Sequence, residues 1–228
     1  SENWERGLDQ VEDGFVTILG DDDGLVPNSL SIIDDFIKKK NVDIISWQPH
    51  TYFWSNFQSE ERNKLILCYS EQNKIVKYSS SDLLQQILDM QTMYLHSPMI
   101  YNSFVNISLI NTIKNKKNNK KFFTSNIPDV YSGLAFLLNT KSFYKLSQPI
   151  GINGVSKYSG GALFSRKEKS REEITNFYKS YNVNLVPPIP SYYLAMLDPY
   201  LNLCKEFKIE TKKYLINYYF LKCRVAAE

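Results

Sequence analysis

Three consecutive aspartates, Asp21, Asp22 and Asp23, stand between Gly20 and Gly24 in the stretch VEDGFVTILGDDDGLVPNSL. Adjacent carboxylates repel one another, and each raises the pKa of its neighbour unless a cation neutralises the group. Aspartate oxygens on a tight turn suit Mg²⁺ or Mn²⁺, which are usually shared with waters and with the phosphates of a substrate. The triplet therefore predicts a divalent cation site that binds a diphosphate.

The same triplet has a plainer interpretation as a surface turn. Asp and Gly are common turn residues, and an aspartate also caps the helix that follows a turn. On the triplet alone, both interpretations stay open. A calcium-binding EF-hand is excluded, because the alternating ligands and the closing glutamate are missing from the sequence.

A buried strand is expected to position the triplet. The apolar run at residues 15–19 predicts a strand, so the aspartates lie at its carboxyl end, where open α/β sheets bind ligands. Helices are predicted over residues 3–11 and after Asn28, where the apolar residues recur at helical spacing and lysines follow.

Strands and helices alternate through the middle of the chain. The pattern predicts strands at residues 42–47, 65–69 and 74–78, and helices in SSSDLLQQILDMQTMYL and at residues 101–113 and 131–138. NKKNNKK is predicted to be an exposed loop, and so is the Gly- and Ser-rich segment INGVSKYSGGALFSR.

Composition places the chain among globular proteins. It has 228 residues, 43% of them hydrophobic, and a formal net charge of +3, which gives no global electrostatic case for binding nucleic acid. Cys68, Cys204 and Cys223 lack zinc-site spacing and predict buried, reduced thiols. Since no apolar run approaches the roughly 20 residues that span a bilayer, a cytoplasmic protein is expected.

The segment NWERGLDQVEDGFVTILGDDDGLVPNSL resembles the central part of family 2 glycosyltransferases with the GT-A fold, in which a helix, a glycine break and an apolar strand lead into a DxD motif. SPMIYNSFV, FFTSNIPDVYSGLA and PIGINGVSKYSGGA follow in the same order and resemble a bacterial surface-polysaccharide subgroup. The resemblance covers nearly the whole chain. It implies an α/β fold, a GT-A-like (Rossmann-like) mixed sheet flanked by helices, in one domain over residues 1–228 whose part from 165 to 228 is mostly helical.

The resemblance also implies a reaction. Enzymes of this kind move a sugar, with inversion, from a nucleotide-diphosphate donor to a glycan or lipid-linked acceptor, here in capsule or O-antigen synthesis. Asp21 and Asp23 match the outer positions of the motif. Asp23 is the first choice as direct ligand of Mg²⁺ or Mn²⁺, with Asp21 as the second metal residue and Asp22 nearer the ribose or a bound water. The cation would stabilise charge on the departing diphosphate.

Asp129 in IPDVYSGLA matches the acidic residue on the acceptor side of the family. An inverting displacement needs a base there to take the hydroxyl proton, and the resemblance makes Asp129 that base. The alternative is a helix cap, because an aspartate after Pro128 satisfies free N–H groups and the helix dipole without any chemistry.

Two further segments carry expectations about binding. Lys157 and Ser159, in the predicted loop 151–161, would close over the sugar or diphosphate of the donor, unless the loop is merely a connection. A dense basic run could contact the anionic inner membrane face, although a solvated loop is the alternative. This run comprises Lys114, Lys116, Lys117, Lys120 and Lys121. The aromatics of YLINYYFLKC are expected to pack on the domain, with dimer or membrane contact as the alternatives.

The sequence departs from the family pattern at its beginning. The first nucleotide-binding half of the fold does not precede Asn3, so the fold is expected to be N-terminally incomplete, with a sheet edge that invites homo-oligomers. We therefore expect a piece of a longer transferase, inactive by itself. The alternatives are a degenerate, non-catalytic glycan-binding or assembly module and a nucleotidyltransferase, which would also use clustered aspartates.

Overall fold

Nine strands form the centre of the chain in the computed structural model, which describes residues 2–57, 60–69, 74–125, 127–157, 159, 172, 175–176, 179, 191–209 and 215–227. In chain order these strands are β1 (Phe15–Val16), β2 (Gly24–Leu25), β3 (Ile44–Trp47), β4 (His50–Phe53), β5 (Leu65–Ile66), β6 (Ile75–Ser79), β7 (Ser103–Asn106), β8 (Ser142–Leu146) and β9 (Gly151–Val155).

The strands form two mixed sheets. The first has five strands in the order β1-β7-β3-β8-β6, and only β3 and β8 are parallel neighbours. The second has four strands in the order β2-β9-β4-β5, and only β4 and β9 are parallel neighbours. Because β4 follows β3 and β9 follows β8, the parallel pair of the first sheet continues as the parallel pair of the second.

Helices flank these sheets, as the sequence predicts. They are α1 (Glu2–Leu8), α2 (Ser29–Lys39), α3 (Ser80–Leu88), α4 (Ile107–Asn115), α5 (Pro128–Asn139), α6 (Tyr192–Ala195), α7 (Leu197–Glu206) and α8 (Tyr218–Ala227), with short 3₁₀ turns at Tyr94–His96 and Ile100–Asn102. The architecture is therefore mixed α/β, with two mixed sheets flanked by helices. The described residues between 165 and 228 are mainly helical, and the rest of that predicted region lies outside the described residues.

The helix α5 occupies the middle of the larger apolar core. Its residues 130–137 are all buried, and it packs against α3 on one side and α7 on another. A smaller core forms between α2 and the first sheet, around the fully buried Trp47. Since α5 begins at Pro128, this packing fixes the position of Asp129 at its first turn.

The predicted helix at 101–113 is wrong in its first part. Residues Ser103–Asn106 form β7, a strand that pairs with both β1 and β3. The apolar run continues through the strand into α4, so its length alone suggested a helix. The two elements are separated at Asn106, whose side chain accepts a hydrogen bond from the Ser108 amide at 2.9 Å and caps α4.

Two other boundaries differ from prediction. The expected loop 151–161 begins as the strand β9, so its first five residues are not a loop. The expected strand 15–19 has only two residues in a ladder. Beyond it, the Thr17 hydroxyl and the Ile18 amide both donate to the Ile100 carbonyl, at 3.0 and 3.2 Å.

The expected exposed loop NKKNNKK contains a buried lysine, so that prediction is wrong for Lys117. Its side chain lies in the interior, where Nζ donates to the Phe122 carbonyl and to the Tyr131 hydroxyl, both at 2.7 Å. Glu206 Oε2 is 3.4 Å from the same Nζ. Long apolar stems make such burial feasible when the charged head is fully bonded.

The C-terminal end corrects two further expectations. Tyr218, Tyr219 and Phe220 are exposed rather than packed on the domain. Of the three free cysteines, Cys204 is buried, but Cys223 is exposed, contrary to the prediction of buried thiols. Within the described residues, every helix is too short or too polar to cross a lipid bilayer.

Candidate active site

The acidic triplet lies in a turn between β1 and β2, and Asp23 closes that turn. Its amide donates to the Gly20 carbonyl at 3.2 Å, and the Gly20 amide donates back to Asp23 Oδ2 at 3.0 Å. The other carboxylate oxygen, Oδ1, accepts the Gly154 amide at 2.9 Å. Because Gly154 belongs to β9, one carboxylate both shapes the acidic turn and ties it to the second sheet.

Gly154 lets the acidic turn approach β9 closely. A Cβ at this position would overlap the backbone carbonyl of Asp22 and would lie 2.7 Å from Trp54 Nε1. Real Cβ atoms do not approach other atoms this closely, so only glycine fits here. The contact that positions the triplet therefore depends on a glycine that the sequence analysis assigned to a loop.

The carboxylates of Asp22 and Asp23 converge beside Gly20. Asp23 Oδ2 lies 2.9 Å and Asp22 Oδ1 lies 3.0 Å from the position that a Cβ on Gly20 would take. Asp21 is exposed, and its carboxylate is not among the atoms nearest that point. The geometry thus brings together Asp22 and Asp23, whereas the sequence motif pairs Asp21 with Asp23.

Burial raises the pKa of the Asp23 carboxyl above its ordinary value. The amides of Gly154 and Gly20 oppose this rise, and the neighbouring charges of Asp22 and Asp21 add to it. A bound cation would favour the ionised form of the same group. A positive charge beside the turn would therefore stabilise the ionised Asp23 carboxylate.

A serine from the segment after β9 reaches the triplet. Ser159 Oγ donates to Asp22 Oδ2 at 2.9 Å, and the Ser156 amide donates to Ser159 Oγ at 2.8 Å. Lys157 lies between them, exposed, with its amide 3.4 Å from Asn56 Oδ1. The structure thus brings the predicted Ser159 to the acidic turn, whereas the Lys157 amide is bonded to Asn56. Residues 158, 160 and 161 of the predicted loop lie outside the described residues.

An aromatic wall borders the turn, which sequence reasoning missed. Trp54 follows β4, is partly exposed, and packs edge-on against Tyr52 with 5.0 Å between ring centroids. Its amide donates to the Val155 carbonyl at 2.9 Å, which fixes it beside β9. The aromatic cluster TYFW was the available signal, but the sequence offered nothing to place it near the aspartates.

Asp129 stands in the first turn of α5, and its side chain is only partly exposed. Desolvation raises the pKa of its carboxyl, although the backbone amides of Val130 and Asp129 act in the opposite direction. A carboxyl whose pKa is raised toward neutrality is a better proton acceptor than an ordinary surface aspartate. The backbone amides fit the capping role, and the role as a base stays a prediction.

Ile100 connects the acidic turn to the start of α5. Its carbonyl accepts the bonds from Thr17 and Ile18, in the stretch that leads into the triplet. Its amide donates to Ser132 Oγ at 3.1 Å, and that hydroxyl donates to the Asp129 carbonyl at 2.7 Å. A short chain of hydrogen bonds therefore links the segment that leads into the triplet with the first turn of α5.

The oxygen donors at the turn suit a hard cation. Each carboxylate oxygen has more than one lone pair, so the bonds that Asp23 accepts from backbone amides leave acceptor capacity. Among the described residues, no group of three or more His, Cys, Asp or Glu side chains forms a cation site by itself. Mg²⁺ commonly binds through one or two carboxylates and completes its coordination with waters and substrate phosphates. Asp22 and Asp23 fit that pattern.

Comparison with known proteins adds no relative: no protein-family model and no curated protein matches this sequence.

Proposed function

We propose that the chain is a metal-dependent inverting glycosyltransferase with a GT-A-like (Rossmann-like) fold. It would move a sugar from a nucleotide-diphosphate donor to a glycan or lipid-linked acceptor in bacterial capsule or O-antigen synthesis. The observation that carries the proposal is the convergence of Asp22 and Asp23 beside Gly20, in the turn between β1 and β2. The resemblance of the surrounding sequence to family 2 glycosyltransferases supports the same function.

The proposed chemistry is a single displacement at the anomeric carbon. The acceptor oxygen forms the new glycosidic bond, and the bond between the anomeric carbon and the diphosphate breaks. Asp129 takes the proton of the acceptor hydroxyl, a role that its raised pKa favours. Asp23, with Asp22 or Asp21, would hold Mg²⁺ or Mn²⁺, and the cation would neutralise charge on the leaving diphosphate. Ser159 orients Asp22 through its hydrogen bond to Oδ2, and the exposed Lys157, two residues before Ser159, would supply a further positive charge to the donor.

The partners follow from this chemistry. The donor is a nucleotide-diphosphate sugar, and the acceptor is a glycan or a lipid-linked glycan. The chain would act in the cytoplasm, with peripheral contact to the inner membrane face if the acceptor is lipid-linked. Within the lysine run, Lys114 already bonds Glu5 and Asp9, and Lys117 is buried. The charge that this run offers a membrane is therefore smaller than its sequence suggests.

A second candidate is a non-catalytic glycan-binding or assembly module. One observation favours it: both carboxylate oxygens of Asp23 accept backbone amides, so this side chain already has a structural role. In such a module the acidic turn would survive as a structural link between the two sheets, without binding a cation.

Isothermal titration of UDP and of GDP, each with and without Mn²⁺, tests the proposal. We expect binding that requires Mn²⁺ and is lost in Asp23→Ala, because the cation carries the contact to the diphosphate. The exposed Asp35 of α2 supplies the control Asp35→Ala, which should bind like the parent chain. If neither nucleotide binds the parent chain under any condition, the result contradicts a cation-dependent donor site in this chain, and both the module and an incomplete piece of a transferase predict it.

Asp129→Asn separates catalysis from binding. A base acts in the transition state and hardly on the donor. The substitution should therefore keep donor affinity while release of the nucleotide diphosphate from UDP-sugars disappears, whether transfer is measured with this chain or with a longer transferase that contains it. Equal loss of affinity and transfer would assign Asp129 to the helix cap instead.

A further inference from the structure

One tryptophan of the second sheet is partly open to solvent. Trp54, directly after β4, is 41% exposed, whereas Trp47 at the end of β3 is 1% exposed. A single exposed apolar side chain needs no explanation by itself. What distinguishes Trp54 is its place beside the acidic turn.

Gly154 is the point at which the indole and the acidic turn meet. A Cβ on this glycine would lie 2.7 Å from Trp54 Nε1 and would overlap the Asp22 carbonyl. Tyr52 is the parallel partner of Gly154. Because side chains two residues apart on a strand share a face, Tyr52, Trp54 and the turn lie on one face of the second sheet. The indole and the acidic turn are therefore neighbours across a single glycine.

The indole is held in place and still keeps exposed surface. The Trp54 amide donates to the Val155 carbonyl at 2.9 Å, which anchors its backbone to β9. The rings of Trp54 and Tyr52 are 5.0 Å apart between centroids and nearly perpendicular, at 87°. Tyr52 therefore supports the indole without stacking over a whole face of it. An aromatic ring that is already positioned loses little conformational entropy when a ligand stacks on it.

Polar groups of the turn define the chemistry of a ligand at the indole. Asp21 is exposed, and Asp22 is partly exposed, with Oδ2 bonded to Ser159 Oγ at 2.9 Å. Carboxylate oxygens carry more than one lone pair, so these side chains accept hydrogen bonds from ligand hydroxyls. An aromatic surface with a few polar groups fixes the orientation of a small ligand. The matching ligand has an apolar face and hydroxyl groups around its edge, which describes a pyranose ring.

A nucleobase also stacks on aromatic rings, but its place in a nucleotide does not fit this position. The ribose separates the base from the diphosphate, whereas Trp54 lies against the same glycine as the turn that is proposed to hold the diphosphate. The ring that comes this close is the sugar bonded to the diphosphate or the acceptor sugar that attacks it.

We propose that Trp54 is the platform on which a pyranose ring stacks at the acidic turn. The choice of a carbohydrate as ligand rests on the proposed function. The assignment deepens that function, because it names the side chain that contacts the sugar, whereas the cation contacts only the diphosphate. The ring belongs to the donor or to the acceptor glycan, and two experiments distinguish these sources.

Isothermal titration with Mn²⁺ measures the contribution to the donor. UDP-glucose, UDP-N-acetylglucosamine and GDP-mannose are compared with UDP and GDP, which lack the sugar. Trp54→Leu keeps an apolar side chain but removes the aromatic ring, so it should weaken binding of at least one nucleotide sugar about tenfold. Binding of UDP and GDP should not change. Trp54→Phe keeps a ring and should lose no more than about threefold. Equal weakening of nucleotide sugars and free diphosphates would mean that Trp54 only shapes the turn, and would overturn the proposal.

Saturation-transfer NMR with free oligosaccharides, without nucleotide or cation, measures the contribution to the acceptor. Saturation of the protein's aromatic protons should reach the ring protons of maltohexaose, cellohexaose or chitohexaose, and Trp54→Leu should remove that transfer. If UDP, GDP and their sugars all fail to bind while an oligosaccharide binds through Trp54, the result contradicts the cation-dependent donor site and supports the pyranose platform.

Tyr69→Ala is the matched control. Tyr69 is 84% exposed, and its neighbour Cys68 bonds His50 at the first residue of β4, whereas Trp54 follows the last. The control should leave both measurements unchanged, and thermal unfolding of each variant shows that it is folded. The proposal is overturned if binding of every nucleotide sugar and every oligosaccharide is independent of Trp54, or if Tyr69→Ala reduces binding as much as Trp54→Leu does.

Discussion

The amide of Gly154 donates a hydrogen bond to Oδ1 of Asp23 at 2.9 Å, across 131 positions of sequence. This bond joins the acidic turn to β9, one of the two central strands of the second sheet. It also places Gly154 where any larger residue would overlap the Asp22 carbonyl. The position of the acidic triplet is therefore decided as much by a distant glycine as by the aspartates.

Gly154→Ala is predicted to displace the acidic turn. The added methyl group has no room, and overpacking of this kind costs about 1–3 kcal/mol of unfolding free energy. Urea unfolding measures that loss. Gly24→Ala in β2 is the matched control, because a Cβ there meets nothing within 4 Å. If the two variants lose equal stability, the loss reflects alanine in a strand and not the contact with Asp22.

Asp129→Asn is predicted to gain stability relative to the parent chain as pH rises. Burial raises the pKa of Asp129 in the folded state, so between its unfolded pKa of about 4 and its folded pKa the folded chain binds more protons than the unfolded chain. Stability of the parent chain therefore falls as pH rises through that interval and stays lower above it. Because asparagine does not titrate, the Asp129→Asn variant does not lose stability in this pH interval.

Urea unfolding of both chains between about pH 4 and about pH 7 checks the sign of this effect. The stability difference should move in favour of Asp129→Asn with rising pH. Asp35→Asn is the control, because Asp35 is exposed. An effect that appears in Asp129→Asn and not in Asp35→Asn comes from burial of the carboxylate and not from its loss alone. A difference for Asp129→Asn that stays constant over this range would contradict desolvation as the cause.

Local signals in the sequence predicted the helices that frame the site. Ser79 caps α3 through the Asp82 amide, and Pro128 opens α5, both as turn and cap chemistry requires. The extended segment that leads into the triplet was likewise predicted from its apolar residues. These features depend only on neighbouring residues, so a single sequence contains them.

Features that depend on distant partners were not predictable. Glycines are depleted in strands, so Gly151 and Gly154 indicated a loop, and only the approach of Trp47 and Asp22 explains why β9 requires them. Lys117 looked like one more solvated lysine, because its partner Glu206 comes from α7, far along the chain. Contacts with residues far along the chain therefore explain both the glycines of β9 and the burial of Lys117.

Gly133→Ala is predicted to destabilise the chain, against the usual effect of this substitution in a helix. Alanine normally stabilises a helix interior by about 0.5–1 kcal/mol relative to glycine. In α5, however, a Cβ at 133 would overlap Ser97 Oγ and lie 2.9 Å from Met99 Cγ. Gly7→Ala in α1 is the control, because a Cβ there meets nothing within 4 Å. Thermal unfolding should show opposite signs for the two variants.

Lys117→Ala is predicted to be among the most damaging single changes in the described part of the chain. Lys117 is 3% exposed, and its Nζ bonds the Tyr131 hydroxyl, which in turn donates to Glu206 Oε2 at 2.7 Å. Removing the ammonium leaves Glu206, whose side chain is 22% exposed, without its positive partner. Breaking a fully buried pair costs about 3–5 kcal/mol, and the partial exposure of Glu206 places the expected loss at or below the lower end of that range. Burial lowers the pKa of Lys117, which is the desolvation that the partners offset.

Denaturant unfolding of Lys117→Ala beside Lys121→Ala checks this role. Lys121 belongs to the same basic run but is exposed, so its loss should change stability by no more than about 0.5 kcal/mol. The double variant Lys117→Met/Glu206→Gln should recover part of the lost stability, because neither charge of the pair then remains without its partner. Equal, small effects of Lys117→Ala and Lys121→Ala would mean that the whole run is solvated, as its sequence suggested.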